Sequence, residues 1–283
     1  MLTETAIEAV VFAALEEDAP WGDITSELFV PVAATATAEL NAREPGVLSG
    51  GAVIIATFAA VSADVTVELQ LNDGDRFEAG DIIAIISGPA RAVLRGERIA
   101  LNLVQRMSAI ATLTAQFVAL VAGTKARVVD TRKTTPGLRA LERHAVRSGG
   151  GHNHRFSLSD AVLAKDNHLA VLTAGGASVT DVIRAARAQL GHTTHLEVEV
   201  DRLDQIEPVL AGGVDTIMLD NFSLDDLRTG VAQVAGRALV EASGGVSLDT
   251  VAAIAQTGVD LISVGALTHS VRALDLGLDV RIA

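Results

Sequence analysis

Positive charge is concentrated in one part of an otherwise acidic chain. The 283 residues carry a formal net charge of −13, yet residues 125–165 contain nine Lys or Arg against three acidic residues. Three of these cations, Arg139, Arg143 and Arg147, recur every four residues and fit a solvated helix face equally well. The other cationic candidates are Arg132, Lys133, His154, Arg155 and Lys165. Because Arg binds a planar carboxylate with two hydrogen bonds and Lys supplies a point charge, this group favours a pocket for a multiply anionic small molecule.

Acidic residues form a second group further along the chain. Glu197, Glu199 and Asp201 alternate, so they share one face of a predicted strand. Together with Asp220 they would form an acidic wall, and Glu199 and Asp220 could hold Mg²⁺ that bridges to a pyrophosphate. Carboxylates also stabilise an oxocarbenium-like ribosyl transition state. The alternative is a hydrated edge strand with no ligand.

Glycines near the end of the chain suggest a phosphate site. Ser243, Gly244 and Gly245 precede a helix predicted to begin near Leu248, and Gly265 follows the next strand. Glycine lets backbone N–H groups approach an anion, and a helix N-terminus favours negative charge. These glycines fit ordinary strand-to-helix turns as well.

The metal-binding alternatives are limited. The chain has no Cys, which excludes disulfides, thiolate metal sites and a Cys nucleophile. His152 and His154 alternate and could hold a metal, but several cations surround them and the sequence shows no third soft ligand nearby.

Six short apolar runs alternate with helical patterns after residue 124, which is typical of a parallel sheet. The first third is mixed α and β, and a long helix over about 90–121 leads from one part to the other. The fold class is therefore α/β. We predict a short or incomplete parallel α/β barrel, with a doubly wound open sheet as the alternative. The runs are 126–129, 161–164, 196–200, 216–219, 238–240 and 261–264.

Polar residues follow every one of these runs. Active sites of parallel barrels lie where the strands end at their carboxyl termini. We therefore expect the cationic, acidic and glycine-rich segments to converge on one site.

Charge and hydropathy exclude several classes of function. A net charge of −13 argues against nucleic acid as a partner. The first 18 residues lack a basic segment, so we expect no signal peptide, and the apolar stretches predict no transmembrane helix. A cytoplasmic location is the resulting expectation.

Several of these segments together resemble the quinolinate phosphoribosyltransferase family, over nearly the whole chain. The pair Thr131-Arg132-Lys133-Thr134 and Lys165-Asp166-Asn167-His168 is the most specific part of the resemblance. The other matching segments are 17–25, 97–108, 130–137, 149–155, 197–201, 219–222, 241–245 and 264–269.

The resemblance implies a domain organisation and an assembly. An N-terminal α/β sandwich domain, residues 1–108, would be rejoined by residues 270–283. An α/β barrel catalytic domain would comprise residues 109–269. The minimal unit would be a homodimer with shared active sites, with higher oligomers open.

The resemblance also implies an activity. The family transfers a phosphoribosyl group from phosphoribosyl pyrophosphate to quinolinate and releases carbon dioxide and pyrophosphate. The product, nicotinate mononucleotide, is used in NAD biosynthesis. By carry-over, Lys133, Lys165, Glu199 and Asp220 are catalytic.

The same carry-over gives the binding residues. Quinolinate would be held by Arg132, His154, Arg155 and Lys165 of one subunit. Arg98 would reach the same quinolinate from the partner subunit. The groups around phosphoribosyl pyrophosphate and its Mg²⁺ would be Lys133, Glu199, Asp220, Ser243, Gly244, Gly245, Gly265 and His269.

Two other functions remain open from sequence. One is a pyrophosphorylase-like paralogue of molybdate transport, against which the Lys165 motif argues. The other is a non-catalytic module that binds phosphorylated sugars, although Glu199, Asp220 and the cations exceed what binding requires. Ala109, Ser157 and Ala164 depart from the family pattern, which leaves the reaction type unchanged.

Overall fold

The computed structural model describes residues 2–173 and 175–282, without the side chains of residues 166, 172 and 173. The helices are α1 (Glu4–Asp18), α2 (Ile24–Phe29), α3 (Gly51–Val61), α4 (Ala90–Leu120), α5 (Arg139–Ser148), α6 (Asp166–Thr173), α7 (Val179–Arg187), α8 (Ile206–Ala211), α9 (Leu224–Val234), α10 (Val251–Ala255) and α11 (Ala266–His269), with a 3₁₀ turn at Leu203–Gln205. The strands are β1 (Thr35–Ala42), β2 (Gly46–Val47), β3 (Thr66–Leu69), β4 (Arg76–Phe77), β5 (Ile82–Pro89), β6 (Arg127–Val129), β7 (Val162–Ala164), β8 (Leu196–Val200), β9 (Thr216–Asp220), β10 (Leu239–Ser243), β11 (Leu261–Ser263) and β12 (Leu276–Ile282).

The six strands β6 to β11 form one parallel sheet in the order β6-β11-β10-β9-β8-β7. Each strand from β7 to β11 lies beside its sequence neighbour, and β6, the first strand, pairs with β11, the last. In a doubly wound sheet the strand order reverses direction midway, whereas here successive strands are added on the same side throughout. The predicted incomplete barrel is therefore confirmed, and the open-sheet alternative is wrong.

A non-strand segment lies along the free edge of β6. The His152 amide donates to Val128 O at 2.9 Å, and the Asp130 amide donates to His152 O at 3.0 Å. Val129 and His152 form an isolated parallel bridge. The segment that carries His154 and Arg155 thus begins at an edge of the parallel sheet.

A second, antiparallel sheet has the order β12-β1-β5-β3. Side chains along β1 alternate between exposed or half-buried and buried, as expected of a sheet with one covered face. Ala38, Leu40 and Ile86 are fully buried there and belong to one core with Ile54 and Phe58 of α3. Because Ala occupies so many of these positions, the few large side chains fill the remaining volume.

Helix α4 is 31 residues long, and its most apolar 18-residue window has a mean hydropathy of 1.2. Length and composition alone would let it cross a membrane, contrary to the expectation from sequence. However, 44% of that window is buried inside the protein. Val93, Leu101 and Val104 belong to the core of the antiparallel sheet, so this stretch has the character of a core helix.

The chain divides into two compact units. One consists of Met1–Ala115, Thr134–Gly150 and Leu267–Ala283, and the other of Gln116–Lys133 and Gly151–Ala266. Strand β12 pairs with β1 from Ala36–Ile282 to Ala42–Leu276, so the end of the chain is part of the first unit. The predicted domain limits at 108, 109 and 269 remain predictions.

Gly149, at the end of α5, lies against α4 within the first unit. A Cβ atom added there would collide with the Ala111 carbonyl oxygen and lie 2.6 Å from Thr114 Cβ. We expect Gly149→Ala to lower the free energy of unfolding by about 1–3 kcal/mol, because backbone must shift to admit the methyl group. Urea unfolding is the measurement. The matched control is Gly191→Ala, whose nearest contact would be an ordinary 3.6 Å; equal midpoints for both variants would contradict the packing argument.

Candidate active site

Predicted functional residues converge at the carboxyl ends of the parallel strands. They surround a cavity of about 590 Å³ in the second unit. Its lining residues come from the strands of the parallel sheet, from the loops that follow them, and from the segment after His152: Thr131, Arg132, Lys133, His154, Arg155, Leu163, Lys165, Glu199, Met218, Asp220, Asn221, Glu241, Ser243, Gly244, Gly245 and Ser263. The expectation that the cationic, acidic and glycine segments meet is confirmed in this geometry.

Arg132 and Arg155 lie close enough to repel each other. Burial and the Arg132 guanidinium lower the pKa of Arg155. The Arg155 Nη1 donates to Ala161 O at 2.9 Å, which fixes its side chain along the start of β7. The Arg132 Nε is buried and has no hydrogen-bond partner among the described residues. Two neighbouring guanidinium groups with an unused buried donor suit an anionic ligand, which would relieve both costs.

Asp130 fixes the segment that carries His154 and Arg155. Its carboxylate is fully buried and accepts from Asn153 Nδ2 at 2.6 Å and from the His154 amide at 2.7 Å. Charge-assisted bonds of this length are stronger than bonds between neutral groups. The positions of His154 and Arg155 in the barrel therefore depend on Asp130, which directly precedes the Thr131–Thr134 segment.

Both ring nitrogens of His154 face protein groups. The Arg155 amide donates to Nδ1 at 2.8 Å, and Nε2 lies 3.0 Å from Glu197 Oε2 and 3.6 Å from Glu241 Oε1. Burial opposes protonation, but the hydrogen bond to Glu197 and the charges of Glu241, Glu197 and Asp130 outweigh it and raise the pKa of His154. The amide at Nδ1 acts against a proton on that atom. An imidazolium has no lone pair to accept that bond, so despite the raised pKa we assign the neutral form, with the proton on Nε2 donated to Glu197.

Lys165 and Glu199 join the basic and acidic sides of the cavity. Lys165 Nζ lies 2.5 Å from Glu199 Oε2, with side chains 46% and 15% exposed. A partly exposed pair contributes little to stability. Its significance is functional, because an incoming anion at Lys165 would release the Glu199 carboxylate.

The acidic wall is shorter than predicted. Asp220 ends β9, is half-buried, and accepts from Asn221 Nδ2 at 2.7 Å. Asp201 lies beyond the end of β8 and is exposed, and it does not line the cavity around Glu199 and Asp220. Glu199 and Asp220 are the hard oxygen ligands at this edge that could hold Mg²⁺.

The loop after β10 differs from the sequence prediction in one respect. Helix α10 begins at Val251 rather than near Leu248, because a turn closed by Ser247 and Thr250 comes first. At five residues, α10 offers little dipole to Ser243–Gly245. Backbone N–H groups of the loop itself must therefore supply any anion contact. Gly244 has a φ of +94° and packs against Asn221, whose amide donates to Ser243 O at 2.9 Å.

Glu197 and Glu241 are functional candidates that the sequence argument missed or misjudged. Glu197 was grouped with the acidic wall, and Glu241 was included only within the matching segment 241–245. They are 3% and 1% exposed, and each has one oxygen without a hydrogen-bond partner among the described residues. Burial and the neighbouring Glu197 carboxylate raise the pKa of Glu241 to about 8. A Glu inside an apolar strand was the signal that could have identified both.

Some predicted residues lie elsewhere. Gly265 follows β11 in the second unit but is not among the residues that line this cavity. Arg98, on α4, and His269, on α11, belong to the first unit. Arg98 is exposed and lies near Glu97, and His269 Nδ1 is 2.6 Å from Ser270 Oγ.

Comparison with known proteins identifies the family. Residues 23–108 match the model of the quinolinate phosphoribosyl transferase N-terminal domain, and residues 110–279 match that of the C-terminal domain. The chain belongs to the quinolinate phosphoribosyl transferase family. This membership agrees with the resemblance drawn from the Lys165 and Arg132 motifs.

Relatives in this family are similar over nearly their whole length. The nicotinate-nucleotide pyrophosphorylase [carboxylating] of Mycobacterium leprae (strain TN) is 44% identical over 289 residues, covering 99% of this chain and 100% of the relative. The probable enzyme of that name from Bacillus subtilis (strain 168) is 41% identical, covering 94% and 91%. The crystal structure of NadC from Streptococcus pyogenes has a TM-score of 0.95 at 40% identity, covering 100% and 99%.

The Gly244 loop of this quinolinate phosphoribosyl transferase family member allows a direct test of the anion cradle. In Gly244→Ala the new Cβ would collide with Asn221 Oδ1 and lie 2.6 Å from its Cγ, at a φ that disfavours Ala. We expect binding of inorganic pyrophosphate, measured by calorimetry, to weaken at least tenfold, or about 1.4 kcal/mol. Gly236→Ala is the matched control, with a φ of +74° and nothing within 4 Å. Equal affinities in the two variants would exclude the loop as an anion site.

Proposed function

We propose that the protein transfers the phosphoribosyl group of phosphoribosyl pyrophosphate to quinolinate and releases pyrophosphate and carbon dioxide. The product is nicotinate mononucleotide, a precursor in NAD biosynthesis. The observation that carries this proposal is a single cavity in which Arg132, Arg155 and Lys165 face Glu199 and Asp220. A dicarboxylate needs the first group, and a developing ribosyl cation needs the second. Membership of the family, with relatives named for this reaction, supports the assignment.

Quinolinate would be seated by its two carboxylates on the cations. Arg132 and Arg155 offer planar donors, and Lys165 offers a point charge that Glu199 now holds. His154 can donate to a quinolinate carboxylate only if its Nε2–H leaves Glu197. Its other possible role is indirect, because its Nδ1 accepts from the Arg155 amide and so positions the Arg155 backbone. The neutral tautomer favours the second role.

Phosphoribosyl pyrophosphate would occupy the part of the cavity next to the glycine loop. Ser243, Gly244 and Gly245 are the candidates for its 5-phosphate or pyrophosphate oxygens, with Lys133 beside them. The predicted contributions of Gly265 and His269 belong to the same group. A quinolinate carboxylate that binds the Lys165 ammonium group would break its ion pair with Glu199. The Glu199 carboxylate would then be free to act beside the ribose.

The transfer step follows from these charges. The ring nitrogen of quinolinate attacks C1 of the ribose as the bond to pyrophosphate breaks, and positive charge grows on the ribose. Preorganised carboxylates of Glu199 and Asp220 stabilise that charge more than they stabilise the ground state. The alkylated ring is a pyridinium, whose positive nitrogen accepts the electron pair left beside it when the adjacent carboxylate departs as carbon dioxide. No protein nucleophile is required.

Magnesium is part of the proposal. The Glu199 and Asp220 carboxylates are hard oxygen donors at one edge of the cavity, which is the donor set that Mg²⁺ takes. When bound, the ion would neutralise charge on the leaving pyrophosphate. A cytoplasmic location is proposed with it, in keeping with the acidic chain and bacterial relatives.

The activity is tested by following both products. With quinolinate labelled in the carboxylate next to nitrogen, we expect equal amounts of labelled carbon dioxide and pyrophosphate, and neither product when phosphoribosyl pyrophosphate is omitted. Arg155→Ala controls for contaminating enzyme and should lose at least tenfold in quinolinate affinity, since a charged hydrogen bond contributes roughly 1.5–3 kcal/mol. Carbon dioxide released at the full rate without the phosphoribosyl donor would falsify the proposed order of steps.

We also propose a homodimer in which Arg98 completes the partner's quinolinate site. Arg98 is exposed on α4, in a unit other than that of the cavity. The resemblance to the family implies that Arg98 contacts the quinolinate bound by the partner subunit.

The dimer proposal predicts complementation between two inactive chains. Arg98→Ala and Lys165→Ala should each be nearly inactive alone. Mixed under conditions that exchange subunits, they should recover about a quarter of normal activity, because half the dimers are mixed and each has one intact site. The control is a mixture of Arg98→Ala with a folded Arg98→Gln chain. No recovery despite heterodimers seen by native mass spectrometry would mean that each site is built from one subunit.

A further inference from the structure

Glu241 is a buried ionisable group with no part in the steps above. It lies on β10, two residues before Ser243, so it faces the barrel lumen roughly 7 Å below the glycine loop. It lines the active-site cavity and also a second cavity of about 430 Å³. That second cavity is bounded by the starts of the strands, at Arg127, Thr216 and Leu261.

Only three described residues line both cavities: His154, Arg155 and Glu241. They form a single layer of side chains between the substrate space and a space at the opposite end of the barrel. A group in such a layer can exchange a proton with either side. Of the three, the guanidinium of Arg155 does not give up its proton in this pH range. His154 has its ring nitrogens directed at the Arg155 amide and Glu197.

Glu241 is held in its protonated form by its surroundings. The titratable groups that act on it directly are Glu197 from β8 and His154. Arg132 and Arg155 line the active-site cavity above it, and Arg127, Asp160 and His195 line the second cavity below it. Flanking positions on β9 and β11 are Met218 and Leu261, which are neutral. One oxygen of Glu241 and one of Glu197 lack partners, and a proton on Glu241 directed at Glu197 would satisfy both.

The proposed reaction leaves one proton to be supplied. When the ring-carbon-to-carboxylate bond breaks, carbon dioxide departs and the electron pair stays on that carbon. Nicotinate mononucleotide has a hydrogen there, so one proton must be added for each turnover. Arg132, Arg155 and Lys165, which would seat the carboxylates, line the same cavity as Glu241. The ring carbon that loses its carboxylate would therefore lie in that cavity, on the substrate side of the layer.

We propose that the carboxyl group of Glu241 donates this proton, and that water in the second cavity returns a proton to it. This inference rests on the proposed function. In the step, the Glu241 O–H bond breaks, a C–H bond forms on the ring, and Glu241 becomes a carboxylate beside Glu197. Repulsion between these two buried carboxylates then drives reprotonation from the opposite cavity.

The test separates ring alkylation from protonation. In single-turnover rapid-quench experiments with Glu241→Gln, which mimics the protonated carboxyl in shape but has no acidic proton, pyrophosphate should form within threefold of the normal rate. Nicotinate mononucleotide should form about 10²-fold more slowly, the usual scale of general acid catalysis. Quinolinate mononucleotide should accumulate, because the unprotonated ring recaptures carbon dioxide. Glu207→Gln, at an exposed carboxylate of the same unit, is the control and should leave both rates unchanged.

Three outcomes overturn the proposal. The first is a normal rate of nicotinate mononucleotide formation in Glu241→Gln. The second is equal slowing of both products, which indicates a structural effect. The third is the absence of the expected pH dependence in the unmodified protein. Because the pKa of Glu241 is raised to about 8 and the acid form is the donor, the protonation step should slow above that pH while pyrophosphate formation does not. This last measurement needs no variant. If the unmodified protein forms neither product, the proposed function itself has failed.

Discussion

Charge buried in the barrel lumen is the constraint on which the arrangement of the site depends. Isolated ionised groups cannot remain in such an environment without partners. The lumen holds two carboxyl groups, Glu197 and Glu241, that are almost fully buried, beside the His154 ring. The neutral imidazole of His154 supplies no charge to balance two carboxylates, so one carboxyl keeps its proton. The protonation state of the lumen is thus set by the fold before any substrate arrives.

The same constraint orders the cations above this layer. Arg155 is tied to Ala161 O and its backbone to the His154 ring, while Asp130 holds the adjoining segment. Arg132 has a buried donor that no described protein group accepts from. Lys165 is held by Glu199 at the rim. A dicarboxylate can therefore bind at a site whose donors are already in position. The binding costs only the ion pair between Lys165 and Glu199, which the ligand replaces.

The sequence was sufficient for the elements whose signal is local. Strands β8 and β9 are apolar runs that end in polar residues, and the rule that parallel strands share one edge brings Glu199 and Asp220 together. What sequence did not reveal depends on packing between strands. The proton on Glu241 requires Glu197, two strands away, to face it across the lumen. The start of α10 was misjudged because Ser247 to Thr250 form a hydrogen-bonded turn before the helix.

The open edge of the sheet gives the site its particular character. A barrel with β6 and β7 paired would fill that position with strand residues, each presenting only alternate side chains inward. Here the segment after His152 leaves the edge of β6, and its non-repetitive backbone directs the consecutive residues His154 and Arg155 to the same cavity. Two adjacent residues of a regular strand would point to opposite faces. Incomplete closure therefore places His154 and Arg155 side by side at the cavity, and Asp130, which follows β6, keeps them in place.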